Sequence, residues 1–411
     1  MEAPVHTVRL STLAYGGDAL GRLPDGRVVF VPFALPGETV RLRLVEEKRG
    51  HARAELLEVL EPSPERTVPR CLHFGVCGGC HYQHLPYPLQ LEAKRMILKD
   101  QLERIGKLQD PPVLPTVPSP RQWHYRNHVQ FALTAEGELA YHKLRSNEVF
   151  AVRECHLPEE AANAAWPLLN FEPIQELERI GLRQGAGEDI LLVLESEALE
   201  APEMSVEELD LSAVHLSPAG PLVMAGSDHI IIEVLGRPFR VSAGSFFQVN
   251  TPMAEAMVQH LLELLPLNPG CLVLDVYCGA GLFSAFLAPR AGRVIGIEAN
   301  PFAAEDFVAN LDEFENVELY EAEAEEVLPA LEQSPEAVVV DPPRAGLGRS
   351  VLDALARLQP AHIAYISCDP STLARDLRRL SEAGYRLQQA TPFDLFPQTY
   401  HIESVVLLSR A

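Results

Sequence analysis

The residue with the clearest chemical potential is Cys368, which stands in the run Ser-Cys-Asp-Pro directly after an apolar segment. Residues 362–366 predict a buried strand, and residues 372–377 predict the start of a helix. A thiol at the carboxyl end of such a strand lies where ligands bind in open α/β sheets. Because many free cysteines are simply small buried hydrophobic residues, position alone leaves both packing and catalysis open for Cys368.

A second group of thiols consists of Cys71, Cys77 and Cys80, joined by Cys155 from a later segment. Two glycines between Cys77 and Cys80 let the backbone wrap closely around one centre. Four thiolates suit either an iron–sulfur cluster or Zn²⁺. The total of seven cysteines is odd, and a clustered arrangement argues against a disulfide framework. We therefore predict that these four cysteines are metal ligands.

Length and composition set the broad class of the protein. A chain of 411 residues is expected to form about two to three domains. The sequence has no apolar run long enough to span a membrane and no secretory signal at its start, so a cytoplasmic protein is expected. The formal net charge of −23 disfavours tight, non-specific binding of nucleic acid. A nucleic-acid enzyme of this composition would need a basic cleft between its domains.

The N-terminal segment, up to about residue 62, carries short alternating stretches separated by turns. This spacing predicts a small all-β barrel. Arginines recur on these stretches, and small barrels often bind oligonucleotides. Acidic residues roughly balance the arginines, so a solvated barrel surface is an equal alternative. The predicted strands lie at 6–10, 27–31, 38–45 and 52–60.

The central segment mixes helix, loop and strand signals. An apolar periodicity from Pro88 predicts a packing helix that ends at Gly106. Aromatic and basic residues then alternate over 123–131, a pattern that fits base stacking and phosphate contact. The same alternation equally fits an ordinary half-buried strand. Further strands are predicted at 190–194 and 229–234, and the acidic stretch 195–208 predicts a solvated helix or loop.

The C-terminal region repeats a strand–turn–helix pattern that can bind a cofactor. A strand ending at Asp275 precedes the turn glycines Gly279 and Gly281, which let a ligand approach the backbone. The next strand ends at Glu298, where an acid can accept ribose hydroxyls. No third glycine completes the dinucleotide pattern, which favours S-adenosylmethionine over NAD. A further apolar strand ends at Asp341, of the kind that lines a substrate pocket in methyltransferases.

These motifs together resemble the S-adenosylmethionine-dependent RNA uridine-5-methyltransferase family over nearly the whole chain. The resemblance implies three parts: an N-terminal TRAM-like β-barrel, a central α+β domain with the four cysteines, and a C-terminal Rossmann-like α/β methyltransferase domain. The implied bounds are 1–62, then 63–87 with 111–242, and finally 88–110 with 243–411. The motifs that carry the resemblance lie at 245–250, 275–281, 341–344, 367–370 and 399–403.

The family resemblance implies a reaction in which two residues act in turn. C5 of uracil is a poor nucleophile until a thiolate adds to C6, and Cys368 matches the family's nucleophile. Glu403 matches the base that removes the C5 proton before the thiolate leaves. Methylation of uracil needs no electron transfer, so a cluster in this protein is expected to be structural.

The resemblance also assigns ligand-binding residues. Cys71, Cys77, Cys80 and Cys155 match the ligands of a four-iron, four-sulfur ([4Fe–4S]) cluster, with zinc as the less favoured alternative. One departure is Glu323, which stands where the family has an aspartate near the adenine. The residues expected around the cofactor or target base are Gln248, Asp275, Tyr277, Gly279, Gly281, Glu298, Glu323 and Asp341. The residues expected to contact RNA are Tyr125, Arg126, Asn127, Phe246 and Arg344.

The expected partner is RNA, with 23S ribosomal RNA favoured over transfer RNA, and the expected assembly is a monomer. Cytidine is disfavoured as the target because Arg344 follows Asp-Pro-Pro where RNA cytosine enzymes carry a cysteine; Cys278 is assigned to packing.

Two other functions remain open. A metal-stabilised RNA-binding protein with an inactive methyltransferase domain would not need Cys368 and Glu403. A small-molecule C-methyltransferase would leave the barrel and residues 123–131 without a role.

Overall fold

The computed structural model describes residues 4–171, 177–202 and 210–410. The acidic stretch predicted between Glu195 and Glu208 falls partly outside the described residues. No helix in the described ranges is both long enough and apolar enough to cross a membrane. The chain forms an N-terminal barrel, a central mixed sheet and a C-terminal α/β domain.

The N-terminal part is a closed barrel, as the sequence predicts. Polar and apolar residues alternate along its strands, so that one set points into the barrel. Val8, Val29, Val40 and Leu42 belong to this buried interior. The strands are β1 Val5–Leu13, β2 Ala19–Arg22, β3 Val28–Val31, β4 Thr39–Glu47 and β5 His51–Glu61, with neighbours in the order β1-β2-β3-β5-β4.

The central part is built on a mixed sheet whose two faces contribute to two different apolar cores. Phe131, Trp166, Leu182 and Leu192 pack together in one of these cores. Only β10 and β11 run parallel; the other neighbours in the sheet are antiparallel. The elements are α1 Tyr87–Arg104, β6 His128–Leu133, β7 Leu139–His142, β8 Val149–Ala151, α2 Glu160–Ala165, β9 Leu177–Gln184, β10 Ile190–Ser196, β11 Ser212–Ser217 and β12 Gly220–Ala225, in the sheet order β12-β11-β10-β9-β6-β7-β8.

The C-terminal part begins with a hairpin and continues as a Rossmann-like domain. Its strands are nearly continuous apolar runs, because helices cover both faces of the sheet. The hairpin is β13 His229–Val234 and β14 Arg237–Ser242. The domain contains α3 Thr251–Leu264, β15 Leu272–Val276, α4 Leu282–Leu287, β16 Arg293–Glu298, α5 Pro301–Leu311, β17 Val317–Glu321, α6 Ala324–Ala330, β18 Ala337–Val340, α7 Arg349–Leu358, β19 His362–Ser367, α8 Pro370–Glu382, β20 Tyr385–Phe393 and β21 Glu403–Arg410. Short 3₁₀ turns occupy Trp166–Leu168, Ala186–Glu188 and Ala288–Arg290.

The strand order of this domain determines where a ligand can bind. The sheet runs β17-β16-β15-β18-β19-β21-β20. The strands β15 to β19 are parallel, and β21 is antiparallel to both of its neighbours. Because the order reverses between β15 and β18, a crevice opens at the carboxyl ends of these two strands. The antiparallel strand β21 begins at that same edge.

The helix α1 packs on the C-terminal domain although it precedes the central sheet in the chain. Its Leu98 and Leu102 share a buried core with Leu377 of α8. Lys94 on the same helix donates to Asp394 over 2.5 Å, and both side chains are fully buried. Asp394 directly follows β20, so this ion pair holds the segment that leads into β21.

We expect the Lys94→Met variant to lower the free energy of unfolding by about 3–5 kcal/mol, because Asp394 would remain as a buried charge without its cation. Urea denaturation followed by circular dichroism measures this loss. The matched control is the double variant Lys94→Met/Asp394→Leu, which removes both charges and should recover most of the stability. A single variant as stable as the wild type would contradict a stabilising role for this pair.

Candidate active site

The register of two neighbouring strands brings Cys368 and Glu403 together. Ser367, the last residue of β19, pairs with Ser404 of β21. Continuing this antiparallel register by one residue places Cys368 opposite Glu403, where paired Cα atoms lie about 4.5–5.5 Å apart. Both residues therefore stand at the edge of the sheet where the crevice between β15 and β18 opens.

The Cys368 thiol is partly buried among acidic groups. Burial raises the pKa of the thiol to about 12, and the negative charges of Glu403 and Asp341 act in the same direction. The guanidinium of Arg344 opposes them. The start of helix α8, whose N-terminal dipole favours an anion, follows the thiol. The ligand-free protein therefore holds this cysteine as a thiol at neutral pH, with a nearby cation that favours its ionisation.

Glu403 is almost completely enclosed, with 3% of its surface exposed. Burial raises the pKa of its carboxyl group well above the usual range, Asp341 raises it further, and Arg344 lowers it. Burial also raises the pKa of Asp341 to about 7, with a contribution from Asp275. A carboxylate with a raised pKa is a stronger base once it has lost its proton.

The raised pKa of Cys368 predicts a steep pH dependence of its reactivity. Only the thiolate reacts, so alkylation of Cys368 by iodoacetamide should accelerate about tenfold per pH unit between about pH 7 and pH 9, without a plateau. Mass spectrometry of the Cys368 peptide measures the rate. The Arg344→Gln variant should slow the reaction, because it removes the cation that lowers the thiol pKa. Arg386→Gln, an exposed charge change on β20, is the matched control, and a flat profile would contradict the prediction.

The turn after β15 forms one wall of the crevice. Asp275 is fully buried, and its Oδ2 accepts a hydrogen bond from Ser284 at 2.7 Å. Its Oδ1 has no hydrogen-bond partner among the described residues. Gly281 has φ +88°, and a Cβ there would lie 2.3 Å from Leu311. Glycine is favoured at this position by the left-handed φ and by the close approach of this buried leucine.

Three glutamates border the same turn. Glu298, at the end of β16, accepts a hydrogen bond from the Gly279 amide at 2.8 Å. Tyr277 has a left-handed φ of +63° and donates its hydroxyl to Glu325 at 3.2 Å. Glu323 lies at the N-cap of α6 and is exposed, and its charge contributes to the raised pKa of Tyr277, after burial and Glu325. No pattern in the sequence predicts that Glu325 is the hydrogen-bond partner of Tyr277.

The crevice fits a ligand that donates hydrogen bonds. The unpartnered Oδ1 of Asp275 is a buried acceptor that needs a donor. Burial raises the pKa of Asp275 to about 6, and a ligand ammonium group beside it would restore its ionised form. The ammonium and ribose hydroxyl groups of S-adenosylmethionine match Asp275, Glu298 and Asp341 in chemistry.

The segment between β14 and α3 lies beside the edge of the sheet that carries Cys368 and Glu403, here called the catalytic edge. Asn250 donates to the carbonyl of Leu395 at 3.0 Å, which brings this segment against the chain that leads into Glu403. Gln248 is buried, whereas Phe246 is 65% exposed. Arg344 is also exposed. Phe246 and Arg344 are therefore accessible to a substrate at this edge.

Tyr125 and Asn127 occupy different surroundings from those expected of RNA contacts. Both are buried, with 1% and 3% of their surface exposed. Tyr125 donates to the carbonyl of Pro397 at 3.0 Å, and Asn127 donates to the carbonyl of Gln248 at 3.0 Å. Strand β6 begins only at His128, so these residues lie in the loop before it. Their burial favours a structural role between the central and C-terminal parts over the predicted RNA contact.

Arg126, between these two residues, is partly exposed. Its guanidinium lies 5.9 Å from the ring centre of Phe396. Both Arg126 and Arg344 lower the pKa of His401, although burial is the largest cause. Two cations therefore stand close to the segment that carries Glu403.

The four clustered cysteines converge in the central part as free thiols. Cys80 is buried beside Tyr125 and Leu157. Burial raises the pKa of Cys77 to about 11, and the charges of Cys155 and Cys71 raise it further. Burial is also the largest cause of the raised pKa of Cys80, and the charges of Cys155, Cys77 and Cys71 raise it further. The four thiols are therefore close enough to influence one another's pKa.

The four thiols are a donor set that suits either zinc or an iron–sulfur cluster. Within the described part of the chain, no three Cys, His, Asp or Glu side chains are arranged to hold one metal ion. Zn²⁺ would draw its thiolates to about 2.3 Å from one point. The thiolates around a four-iron cluster stand farther apart, because each binds a different iron. The backbone amide of Gly79 donates to Cys77 Sγ at 3.3 Å, a contact typical of cluster-binding loops.

Comparisons with known proteins agree with this geometry. The model of the tRNA (uracil-5-)-methyltransferase family matches residues 223–411, and the TRAM domain model matches residues 3–57. An uncharacterized RNA methyltransferase of Aquifex aeolicus is 36% identical over 96% of both chains. Another from Gloeobacter violaceus is 34% identical over 98% of this chain and 96% of its own.

A solved structure extends the similarity to the whole fold. The tRNA (uracil-54, C5)-methyltransferase of Pyrococcus abyssi, in complex with S-adenosyl-L-homocysteine, superposes with a TM-score of 0.77 at 26% identity, covering 98% of this chain and 100% of its own. The predicted barrel and Rossmann-like methyltransferase fold are confirmed. The chain therefore belongs to the tRNA (uracil-5-)-methyltransferase family, the S-adenosylmethionine-dependent RNA uracil-5-methyltransferases.

Proposed function

We propose that this protein transfers a methyl group from S-adenosylmethionine to C5 of one uridine in a structured RNA. The observation that supports this most strongly is the register of β19 and β21, which pairs Ser367 with Ser404 and brings the adjacent Glu403 close enough to raise the pKa of Cys368. Uracil methylation needs both a nucleophile and a base at the same ring. An inactive RNA-binding protein would have no use for a thiol and a carboxyl group placed opposite each other.

The first part of the reaction belongs to Cys368. Its thiolate adds to C6 of the uracil, and the electron pair of the C5–C6 double bond moves toward O4. This makes C5 nucleophilic. S-adenosylmethionine, when bound beside Asp275, Glu298 and Asp341, supplies the electrophilic methyl group. Arg344, whose charge lowers the pKa of Cys368, favours the thiolate that starts this step.

The second part belongs to Glu403. Its carboxylate accepts the proton from C5, the C5–C6 double bond re-forms, and the bond between C6 and sulfur breaks. The thiolate of Cys368 is thereby released. Because Glu403 is buried and its pKa is raised, its carboxylate is a strong base for this proton once Glu403 has lost its own proton.

The target base must leave its stack to reach Cys368 at the crevice. Phe246 is exposed at this edge, where an aromatic face can stack on a displaced base. Arg126 and Arg344 supply positive charge for neighbouring phosphates, which an acidic chain needs. The preference for 23S ribosomal RNA over transfer RNA remains a prediction, since the P. abyssi protein is a transfer RNA enzyme.

The decisive experiment offers both RNA classes. Purified protein, S-adenosylmethionine with a labelled methyl group, and unmodified transcripts of 23S ribosomal RNA or transfer RNA are incubated, and labelled nucleosides are identified by mass spectrometry. The expected product is 5-methyluridine at one position of one RNA. Label in 5-methylcytidine, or label in neither RNA, would contradict the proposal.

We also propose that Cys71, Cys77, Cys80 and Cys155 hold a [4Fe–4S] cluster with a structural role. The support is the set of four free thiols, three of them within ten residues, together with the Gly79 amide that donates to Cys77 Sγ. Burial raises the pKa of Cys155, and the neighbouring Tyr141 side chain acts in the opposite direction. Hydrogen bonds to cluster sulfurs are common in such sites.

Anaerobically purified protein is expected to be brown, with about four iron and four sulfide ions per chain. The Cys80→Ser variant should lose most of this iron and its broad visible absorption, because it removes a buried ligand. Cys271→Ser, at the start of β15, is the matched control and should keep both. Colourless protein with stoichiometric zinc would contradict the cluster and favour the single-ion alternative.

The domain bounds 1–62, 63–87 with 111–242, and 88–110 with 243–411 also remain a proposal. The packing of α1 against α8 supports the assignment of residues 88–110 to the methyltransferase domain. The monomeric state likewise remains a prediction.

A further inference from the structure

The loop between β1 and β2 of the barrel reaches the catalytic edge of the C-terminal domain. The hydroxyl of Tyr15 donates to Oδ2 of Asp369 at 2.9 Å. The Tyr15 ring also contacts Tyr400 edge-on, with ring centres 5.7 Å apart. Asp369 directly follows Cys368, and Tyr400 lies three residues before Glu403. A barrel residue thus touches the segments that carry both the nucleophile and the base.

Asp369 connects this contact to the position of the thiol. Its Oδ1 accepts from the backbone amides of Ser371 and Thr372 at 2.8 and 3.0 Å, and so caps helix α8. Tyr15 occupies the other oxygen, Oδ2. Both oxygens of this carboxylate are therefore bound, one by the helix and one by the barrel. The side chain of Asp369 has little freedom, and the helix terminus behind Cys368 is held with it.

The hydrogen bond from Tyr15 to Asp369 also bears on the pKa of Cys368. The negative charge of Asp369 contributes to the raised pKa of Cys368, after the larger effects of burial, Glu403 and Asp341. A donated hydrogen bond withdraws part of that charge from the thiol. Burial and Asp369 raise the pKa of Tyr15, so its hydroxyl keeps its proton and remains a donor at physiological pH.

The loop is anchored independently of Tyr15. Asp18 is nearly fully buried, and its carboxylate binds Arg145 of the central part at 2.7 Å and Arg53 of the barrel at 3.2 Å. Gly17 has φ +88°, and a Cβ there would lie 3.1 Å from His81. The loop between β1 and β2 therefore packs against the central part, and its Tyr15 contacts the C-terminal domain.

We propose that Tyr15 is a positioning residue of the catalytic centre, whose hydroxyl holds Asp369 and, through it, the helix terminus behind Cys368. The barrel then contributes to the chemical step as well as to any RNA contact. This inference rests on the proposed function of Cys368. It predicts that loss of one hydroxyl in the barrel slows the reaction of a thiol in another domain.

Tyr15→Phe tests the proposal, because phenylalanine keeps the ring against Tyr400 and loses only the hydroxyl. The rate of Cys368 alkylation by iodoacetamide should fall about fivefold, the size expected for one hydrogen bond, and its pH profile should move to higher pH. In single-turnover methylation the maximal rate should fall by a similar factor, while the RNA concentration for half-maximal rate stays within about twofold.

The matched control is Tyr385→Phe, which also removes a buried tyrosine hydroxyl, bonded to Pro360 at 3.1 Å, but at the far end of the sheet. It should leave the alkylation profile unchanged, and thermal melting of both variants reports any general loss of stability. A Tyr15→Phe profile identical to the wild type would overturn the proposal, as would an equal change in Tyr385→Phe. Alkylation of Cys368 needs no RNA. If the protein methylated no RNA, the proposed function would be contradicted. The alkylation rates of Tyr15→Phe and Tyr385→Phe would still test the role of Tyr15.

Discussion

Replacement of Cys368 by alanine is expected to reduce methyl transfer to RNA by on the order of 10³-fold or more, because no other group can add to C6 of the uracil. Cys368 directly follows β19, whereas Asp275 and the glycine turn that we propose for the cofactor lie at the end of β15. Binding of S-adenosylmethionine should therefore persist. Single-turnover transfer of a labelled methyl group and isothermal titration with the cofactor measure the two quantities.

The control for this variant is Cys271→Ala, a change of the same type at a buried position. Cys271 precedes β15 at the opposite end of the sheet from the crevice, so this variant should retain methyl transfer. If Cys368→Ala retained turnover near the wild-type rate, Cys368 could not be the nucleophile. If both variants lost activity together with cofactor binding, the loss would report folding and not chemistry.

Replacement of Glu403 by glutamine is expected to trap a covalent adduct between the protein and its RNA. The amide has nearly the same shape as the carboxyl group but cannot accept the C5 proton. Addition of Cys368 and methylation can proceed, whereas elimination stops. The adduct should appear as a slowly migrating band on denaturing gels, and net turnover should fall on the order of 10²-fold or more, the contribution typical of general base catalysis.

The double variant Cys368→Ala/Glu403→Gln is the control for the trapped species. It should give no adduct, because the carbon–sulfur bond can form only through Cys368. An adduct in the double variant would assign the covalent bond to another residue. Full turnover of Glu403→Gln without any adduct would remove Glu403 from the elimination step.

Patterns within the sequence predicted the strands that carry the candidate site of the C-terminal domain, but not β17, β20, β21 or the helices α3, α5, α6 and α7. Apolar runs followed by acids or glycines predicted the ends of β15, β16 and β18, since parallel strands buried on both faces have few polar residues until they end. The motif order then identified the family, which the comparisons confirm. The barrel was predicted in the same way, from alternation with a period of two residues.

The structure decided contacts that no local pattern encodes. Tyr125 and Asn127 carried a pattern equally typical of RNA contact and of packing, and burial against the C-terminal part distinguishes the two. Lys94 lies on the same face of α1 as Ile97 and Leu98, and it is buried because Asp394 meets it there. Charged residues are buried only when a partner arrives from elsewhere in the chain, so the sequence of one helix does not reveal such a residue.

The sequence alone determined which residues have the chemistry for this reaction: a thiol at a strand end, a glycine turn with acids, and a later glutamate. Only the tertiary structure decided how they meet. The register of β19 and β21 sets Cys368 opposite Glu403, and the docked barrel loop adds Tyr15 to the same centre. Periodicity along a chain reports which face of an element is buried. Strand register and domain docking depend on packing between distant segments, so they become visible only when the chain is folded.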